Sequence, residues 1–203
     1  MITLNTRSRG AARGFTLVEV MVALIIIAVG MLGIAKMQGL ALSSTGASRS
    51  RALAAIEASS LAAAMQANRT YWSSGSVPAS ITVTTSAGTA TIASTTTAMQ
   101  TALTAVQNST PCSGMGATLS CYCTTACTTS INLAASDVYD WGQSLANLLP
   151  SATASVSCTA LDLPVDCTIT IGWSENTVAM TSQQAANSTG LTVPVSYSLY
   201  VVP

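Results

Sequence analysis

The sequence predicts an α+β fold, in which a long N-terminal α-helix packs on a small antiparallel β-sheet domain with disulfide-tied loops. Three observations predict it. The run from Phe15 to Ala35 is apolar apart from Thr16 and Glu19, and no proline interrupts the chain from there to Arg69. Segments that alternate apolar and polar residues at period two recur through the distal part of the chain. Six cysteines all lie beyond the apolar run, an even number that fits disulfides in an oxidising compartment.

The first element is the apolar helix. At about 1.5 Å per residue, a helix from Phe15 to Ala35 just crosses a bilayer core of roughly 30 Å. Arg7, Arg9 and Arg13 precede it, which places the N-terminus on the cytoplasmic side of a single-pass segment. Glu19 is the anomaly, because an acid inside such a helix costs at least about 2.5 kcal/mol. A general secretory signal fits poorly, since the apolar run is too long and Gly33-Ile34-Ala35 before Lys36 is a poor cleavage site. A plain transmembrane anchor fits the length and leaves Glu19 unexplained.

The stretch Arg13-Gly-Phe-Thr-Leu-Val-Glu-Val20 resembles type IV prepilins and pseudopilins. The resemblance implies a cleaved leader over residues 1–14, with the cut between Gly14 and Phe15 and N-methylation of Phe15. Glu19 then stands at mature position five, where the family uses a glutamate in assembly. A new ammonium at Phe15 and a carboxylate at Glu19 of a neighbouring subunit would each offset part of the other's desolvation, fixing one axial stagger between helices. The resemblance also implies a prepilin peptidase and other minor and major pilins as partners. It places the chain in the inner membrane before assembly, and in the periplasm or fibre afterwards.

The helix is expected to continue over residues 36–70 as an amphipathic second half, with Leu53, Ile56, Ser60, Ala64 and Ala67 as its inward stripe. Arg49, Arg51 and Glu57 are placed away from that face. Gly30, Gly33, Gly39 and Gly46 invite either close helix contact or local unwinding. Tyr71 and Trp72 end the helix, and residues 71–203 form the globular domain. Ile81–Thr85 and Ala90–Ala93 read as short exposed strands, and residues 94–107 as a weakly amphipathic helix through Met99, Leu103 and Val106. A Ser/Thr-rich and Cys-rich insert occupies about 75–130, with a disulfide-tied loop over 108–130. Residues 136–150 read as a helix capped by Ser136 or Asp137, its face made by Val138, Trp141, Leu145 and Leu148, with Pro150 as its stop. Three further strands follow, over 154–158, 167–173 and 193–202.

Cys112, Cys121, Cys123, Cys127, Cys158 and Cys167 are disulfide candidates. Their spacing lacks the repeated C-x2-C pair of a zinc ribbon. The local pairing expected is Cys158 with Cys167 across one short loop, while connectivity among the rest stays open. The helix at 137–150 and the Cys167–Trp173 strand resemble PilV-type minor pilins, loosely in spacing, and residues 28–38 share that likeness.

Composition narrows the function. Seven basic and seven acidic residues give a formal net charge of zero, and every basic residue lies at or before Arg69. A nucleic-acid partner is excluded for the distal domain, which has no Lys or Arg to displace counterions. With no histidine, no imidazole base or His-ligated metal is available, and no enzyme, cofactor or metal site is expected. Asp162 and Asp166 are the weak candidates for calcium. Two non-catalytic readings remain: a minor pilin that initiates or caps a type IV pilus and contributes to surface contact, and a pseudopilin of a type II secretion system. A membrane-anchored adhesin, resting on the Ser/Thr-rich loop alone, is a weaker third.

Overall fold

The computed structural model describes residues 14–108, 127–149, 151–159, 164–176 and 192–203. The chain divides into two compact units, residues 1–42 and 43–203. The leader arginines Arg7, Arg9 and Arg13, the cysteines Cys112, Cys121 and Cys123, Pro150 and Asp162 lie outside the described residues.

Helix α1 runs unbroken over Leu17–Ala67. Alanine and leucine favour it, and no proline removes a backbone donor. Over residues 17–39 its side chains are exposed. A Cβ added at Gly30, Gly33 or Gly39 would meet nothing within 4 Å, and none of the three unwinds the helix.

In the second unit, α1 turns Ala54, Ala58, Leu61 and Met65 into the core. This corrects the expected stripe, since Ile56 is 60% exposed and Ser60 is also outward. The buried face lies one residue further round the helix. It carries two large side chains, Leu61 and Met65, where the expected face offers Leu53 and Ile56. It also brings Glu57 inside. Asn68 ends α1 and turns the chain into the single-turn helix α2 (Arg69–Trp72), its amide Nδ2 donating to the Ser130 carbonyl at 2.7 Å. Tyr71 and Trp72 are buried edge to face, their ring centroids 5.2 Å apart.

Five strands follow the order β2-β1-β3-β4-β5, every pair antiparallel: β1 (Ser80–Ser86), β2 (Thr89–Ser94), β3 (Thr153–Cys158), β4 (Cys167–Asn176) and β5 (Thr192–Val201). Ala87 and Gly88, both at positive φ, form the tight β1–β2 turn, the geometry that suits the twist of two paired strands. The first hairpin is less exposed than expected. β1 lies between β2 and β3 and buries Ile81, Val83 and Thr85. One sheet face carries these residues with Ile92, Val156, Ile169, Ile171 and Trp173, and all of them except the polar Thr85 share a single hydrophobic core with α1. The other face is almost entirely hydroxyl-bearing, through Thr82, Thr84, Thr153, Ser155, Thr168, Thr170, Ser196 and Ser198 in adjoining strands.

Helix α3 (Thr97–Gln107) buries Met99, Leu103 and Val106, the face its periodicity predicts. Helix α4 spans Ser130–Leu148 and packs on β1 and β2, starting a turn and a half earlier than expected. Its cap is Thr129, whose hydroxyl accepts from the Asn132 N–H at 3.4 Å. Ser136 is therefore a buried mid-helix residue, and Asp137 and Asp140 lie outside the first turn, where the helix dipole would favour them. Val138, Trp141 and Leu145 face the core as expected, while Leu148 is exposed and Leu149 is buried in its place. At Gly142 the backbone passes so close to β2 that a Cβ would stand 2.9 Å from Ile92 Cδ1.

Cys158 and Cys167 form a disulfide, the pairing expected from their loop. They face each other at the ends of β3 and β4. Cys127 is also disulfide-bonded.

Candidate functional site at the start of the first helix

The Thr16 hydroxyl accepts the Glu19 N–H at 3.3 Å, and the Thr16 carbonyl accepts the Val20 N–H at 3.3 Å. Thr16 thus caps α1 by taking up one of the N–H groups that have no partner within the helix. The sequence reading did not assign this role. Its signal is the Thr-x-x-Glu spacing of a capping box just before an apolar run.

Capping at Thr16 puts Glu19 in the first turn, where the helix dipole favours a carboxylate. Four-residue spacing stacks Glu19, Ala23 and Ile27 on one side of the helix, and Phe15, just ahead of the Thr16 cap, borders the same side. With Val20 and Leu24 these four residues line a shallow groove of about 390 Å³. Apart from the Glu19 carboxylate, its lining is apolar. Phe15 is 80% exposed, and the aliphatic side chains after it lie open as well. An 18-residue window of α1 has a mean hydropathy of 2.7 and none of it is buried, so the helix is long and apolar enough to cross a membrane. That much unpartnered apolar surface requires lipid or neighbouring helices.

Of the remaining sequence-derived site residues, Gly14 is exposed and open to approach. Asp166 is tied into its own loop, its carboxylate accepting from the Thr159 hydroxyl. Among the described residues, no group of three or more His, Cys, Asp or Glu could hold a metal ion.

Two acids in the second unit are held by specific partners, and Glu57 is the one that departs from its expected outward place. Glu57 is 6% exposed, its Oε1 accepting from Ser144 Oγ at 3.0 Å, while its backbone carbonyl accepts from Trp141 Nε1 at 2.9 Å. Burial raises its carboxyl above the ordinary range, and the Ser144 hydrogen bond partly opposes that. Glu175 on β4 accepts both guanidinium contacts of Arg51, each at 3.0 Å, and Trp173 Nε1 at 3.1 Å. The hydrogen bond from Arg51 holds the Glu175 carboxyl below its ordinary value. These contacts fasten α1 to α4 and to the sheet within the second unit.

Residues 9–35 match the family model of the prokaryotic N-terminal methylation motif. The matched region contains the Gly14–Phe15 junction, Glu19 and the whole apolar run from Phe15 to Ala35. No curated protein and no solved structure matches the chain. The motif, a type IV prepilin-like leader, indicates a type IV pilin-like protein, of a pilus or a pseudopilus. Such a motif implies processing by a prepilin peptidase and assembly with other pilins, suggests a structural role rather than an enzymatic one, and fits membrane anchoring through α1.

Proposed function

We propose that the chain is a minor pilin, cut between Gly14 and Phe15 and N-methylated at Phe15, that takes part in initiating or capping a type IV pilus. The observation that carries this reading is the groove at the head of α1, where Phe15 and Glu19 share one otherwise apolar face. Cleavage turns the Phe15 nitrogen into a cation at membrane depth. A neighbouring subunit's Glu19 supplies its counter-charge, and removing one partner of such a buried pair costs about 3–5 kcal/mol. Helices out of register would leave both charges without a partner, so the pair selects the stagger of assembly. The open Gly30, Gly33 and Gly39 positions support close approach by neighbouring helices. The PilV-like assignment rests on the Trp141 helix and the Cys167–Trp173 strand, and a tip position follows from that assignment.

The intact mass of the protein recovered from sheared fibres tests this directly. It should show loss of residues 1–14, one added methyl group and oxidised thiols; a full-length chain in the fibre overturns the reading. Glu19→Ala should leave cleavage intact and sharply lower incorporation into fibres, and normal incorporation would refute the pairing role.

A further inference from the structure

The core lies on one face of the sheet, and the opposite face is exposed or half-buried throughout. Register across β3, β4 and β5 sets Ser157, Thr168 and Tyr200 in one row of that open face, and Ser155, Thr170 and Ser198 in the next. The Thr170 and Ser198 hydroxyls lie 3.1 Å apart. The following row is interrupted, because Gly172 stands between Thr153 and Ser196. In the other direction the face ends at Asp166, whose carbonyl accepts the Thr159 N–H at 2.9 Å. From Gly172 to Asp166 an extended chain covers about 20 Å.

Hydroxyls alone would make ordinary hydrated surface, and two features set this face apart. Tyr200 is 62% exposed, an open aromatic ring among hydroxyls, and its own hydroxyl is drawn to the Asp166 carboxylate by charge and hydrogen bonding. That carboxylate also accepts from the Thr159 hydroxyl, and the Cys158–Cys167 disulfide joins the strands directly beside both residues. Ring and acid are thus held on a rigid support. At the other end, Gly172 leaves a hollow of about 330 Å³, rimmed by Ser151, Thr153, Ser174, Pro194 and Ser196. A Cβ at Gly172 would stand 3.2 Å from Thr153 Oγ1 and fill its floor.

We propose that this face binds an uncharged polysaccharide chain, laid along β4 and β5 from the Gly172 hollow to Tyr200. Each Ser or Thr hydroxyl both donates and accepts, as each sugar hydroxyl does, so the rows match a polyol without fixing one pattern of donors. The Tyr200 ring offers a flat apolar surface to the C–H face of a sugar ring, and the Asp166 carboxylate offers a strong acceptor. Asp166 is the one charged group on this face among the described residues. A polyanion would therefore meet no cation here, and a polycation would meet a single acid that already has partners. The face lies across the sheet from the core side of α1, so subunits that pack through α1 leave it open. The inference therefore holds for a pilus and for a pseudopilus alike.

The test titrates the isotope-labelled full chain, in a zwitterionic detergent without sugar groups, with cellohexaose, mannohexaose and chitohexaose, and follows backbone amide shifts. At least one of these neutral chains should bind, with shifts concentrated at Thr168, Thr170 and Ser196–Tyr200. Tyr200→Ala should weaken binding about five- to tenfold, whereas Tyr200→Phe keeps the ring and should retain most of the affinity. Gly172→Ala, which shrinks the hollow, should weaken it too. Ile56→Ala, on the exposed side of α1, should bind as the wild type does. Hexagalacturonate, as long but anionic, should bind more weakly than the neutral chain. Retention of the Cys158–Cys167 disulfide and of the core amide shifts shows that each variant is folded. Failure of all three neutral chains to bind, tighter binding of hexagalacturonate, shifts that map to α1 or α4, or wild-type affinity in Tyr200→Ala would each overturn the inference.

Discussion

Replacing both Cys158 and Cys167 with alanine should destabilise the folded chain by about 2.7 kcal/mol. The two residues are 9 apart in sequence, so their bridge closes a loop of about ten residues. For such a loop the chain-entropy relation gives about −9 cal/mol/K for the unfolded state, or about 2.7 kcal/mol at 25 °C. The native state loses little else in the double variant. Both sulfurs sit at the buried ends of strands already paired by backbone hydrogen bonds, and alanine leaves no lone buried thiol there. Urea unfolding of the full chain in detergent, compared with the double variant under the same non-reducing conditions, reads the difference as a shift of midpoint at unchanged slope. A loss below about 1 kcal/mol would refute the reasoning, because it would mean that the unfolded chain already holds these two strand ends together. A changed slope would show instead that the denatured state had altered in compactness.

Gly142 should tolerate alanine and reject valine. Alanine gains roughly 1 kcal/mol of helix propensity but presses on Ile92 Cδ1, a movable side-chain end, so urea midpoints should place the net change within about 1 kcal/mol. Valine adds branches between Ala90 and Ile92 and should cost more than about 2 kcal/mol in the same assay. Burial first, and the Asp140 charge second, raise the Asp137 carboxyl from 3.8 to about 6. The folded state therefore binds that proton more tightly than the unfolded chain, and the associated stability is present below about pH 4 and lost as pH rises to about 6. Full conversion at 1.36 kcal/mol per unit would give about 3 kcal/mol, which partial solvation reduces to about 1 kcal/mol. Asp137→Asn should abolish that slope, and parallel unfolding curves at pH 4 and pH 7 would expose the idea if the variant and the wild type moved together.

The strands were legible because period-two alternation of β-branched residues needs no partner to be read, and Thr168, Ile169, Thr170 and Ile171 alternate as a half-buried sheet face must. The Cys158–Cys167 bridge was legible because a short loop between two such strands leaves its ends facing each other. The phase of the second half of α1 was not. In an alanine-rich helix, the stripes through Ile56 and through Leu61 differ little in apolar content, and the choice depends on what lies opposite. Trp141 and Ser144 on α4 supply a donor for the Glu57 carbonyl and another for its carboxylate, so an acid that reads as solvated is acceptable inside. The start of α4 was misread for a related reason. Ser136 and Asp137 have the chemistry of a cap, but the small residues Ala134, Ala135 and Ser136 are buried mid-helix and Thr129 holds the capping position.

These misreadings fall in the second unit, and that location has a physical cause. There each helix chooses its inward face by agreement with elements tens of residues away, so a local pattern leaves a rotation of about 100° unresolved. In the first unit, residues 17–39 of α1 are exposed along their whole length, so no tertiary contact competes with the local code. Thr16 caps the helix, the following apolar residues make it a membrane-length rod, and the cap sets Glu19 in the first turn, where it lines one groove with Phe15. A segment whose partners all lie outside its own chain must carry its instructions in consecutive residues. That is why a match confined to residues 9–35 bears so much of the functional reading.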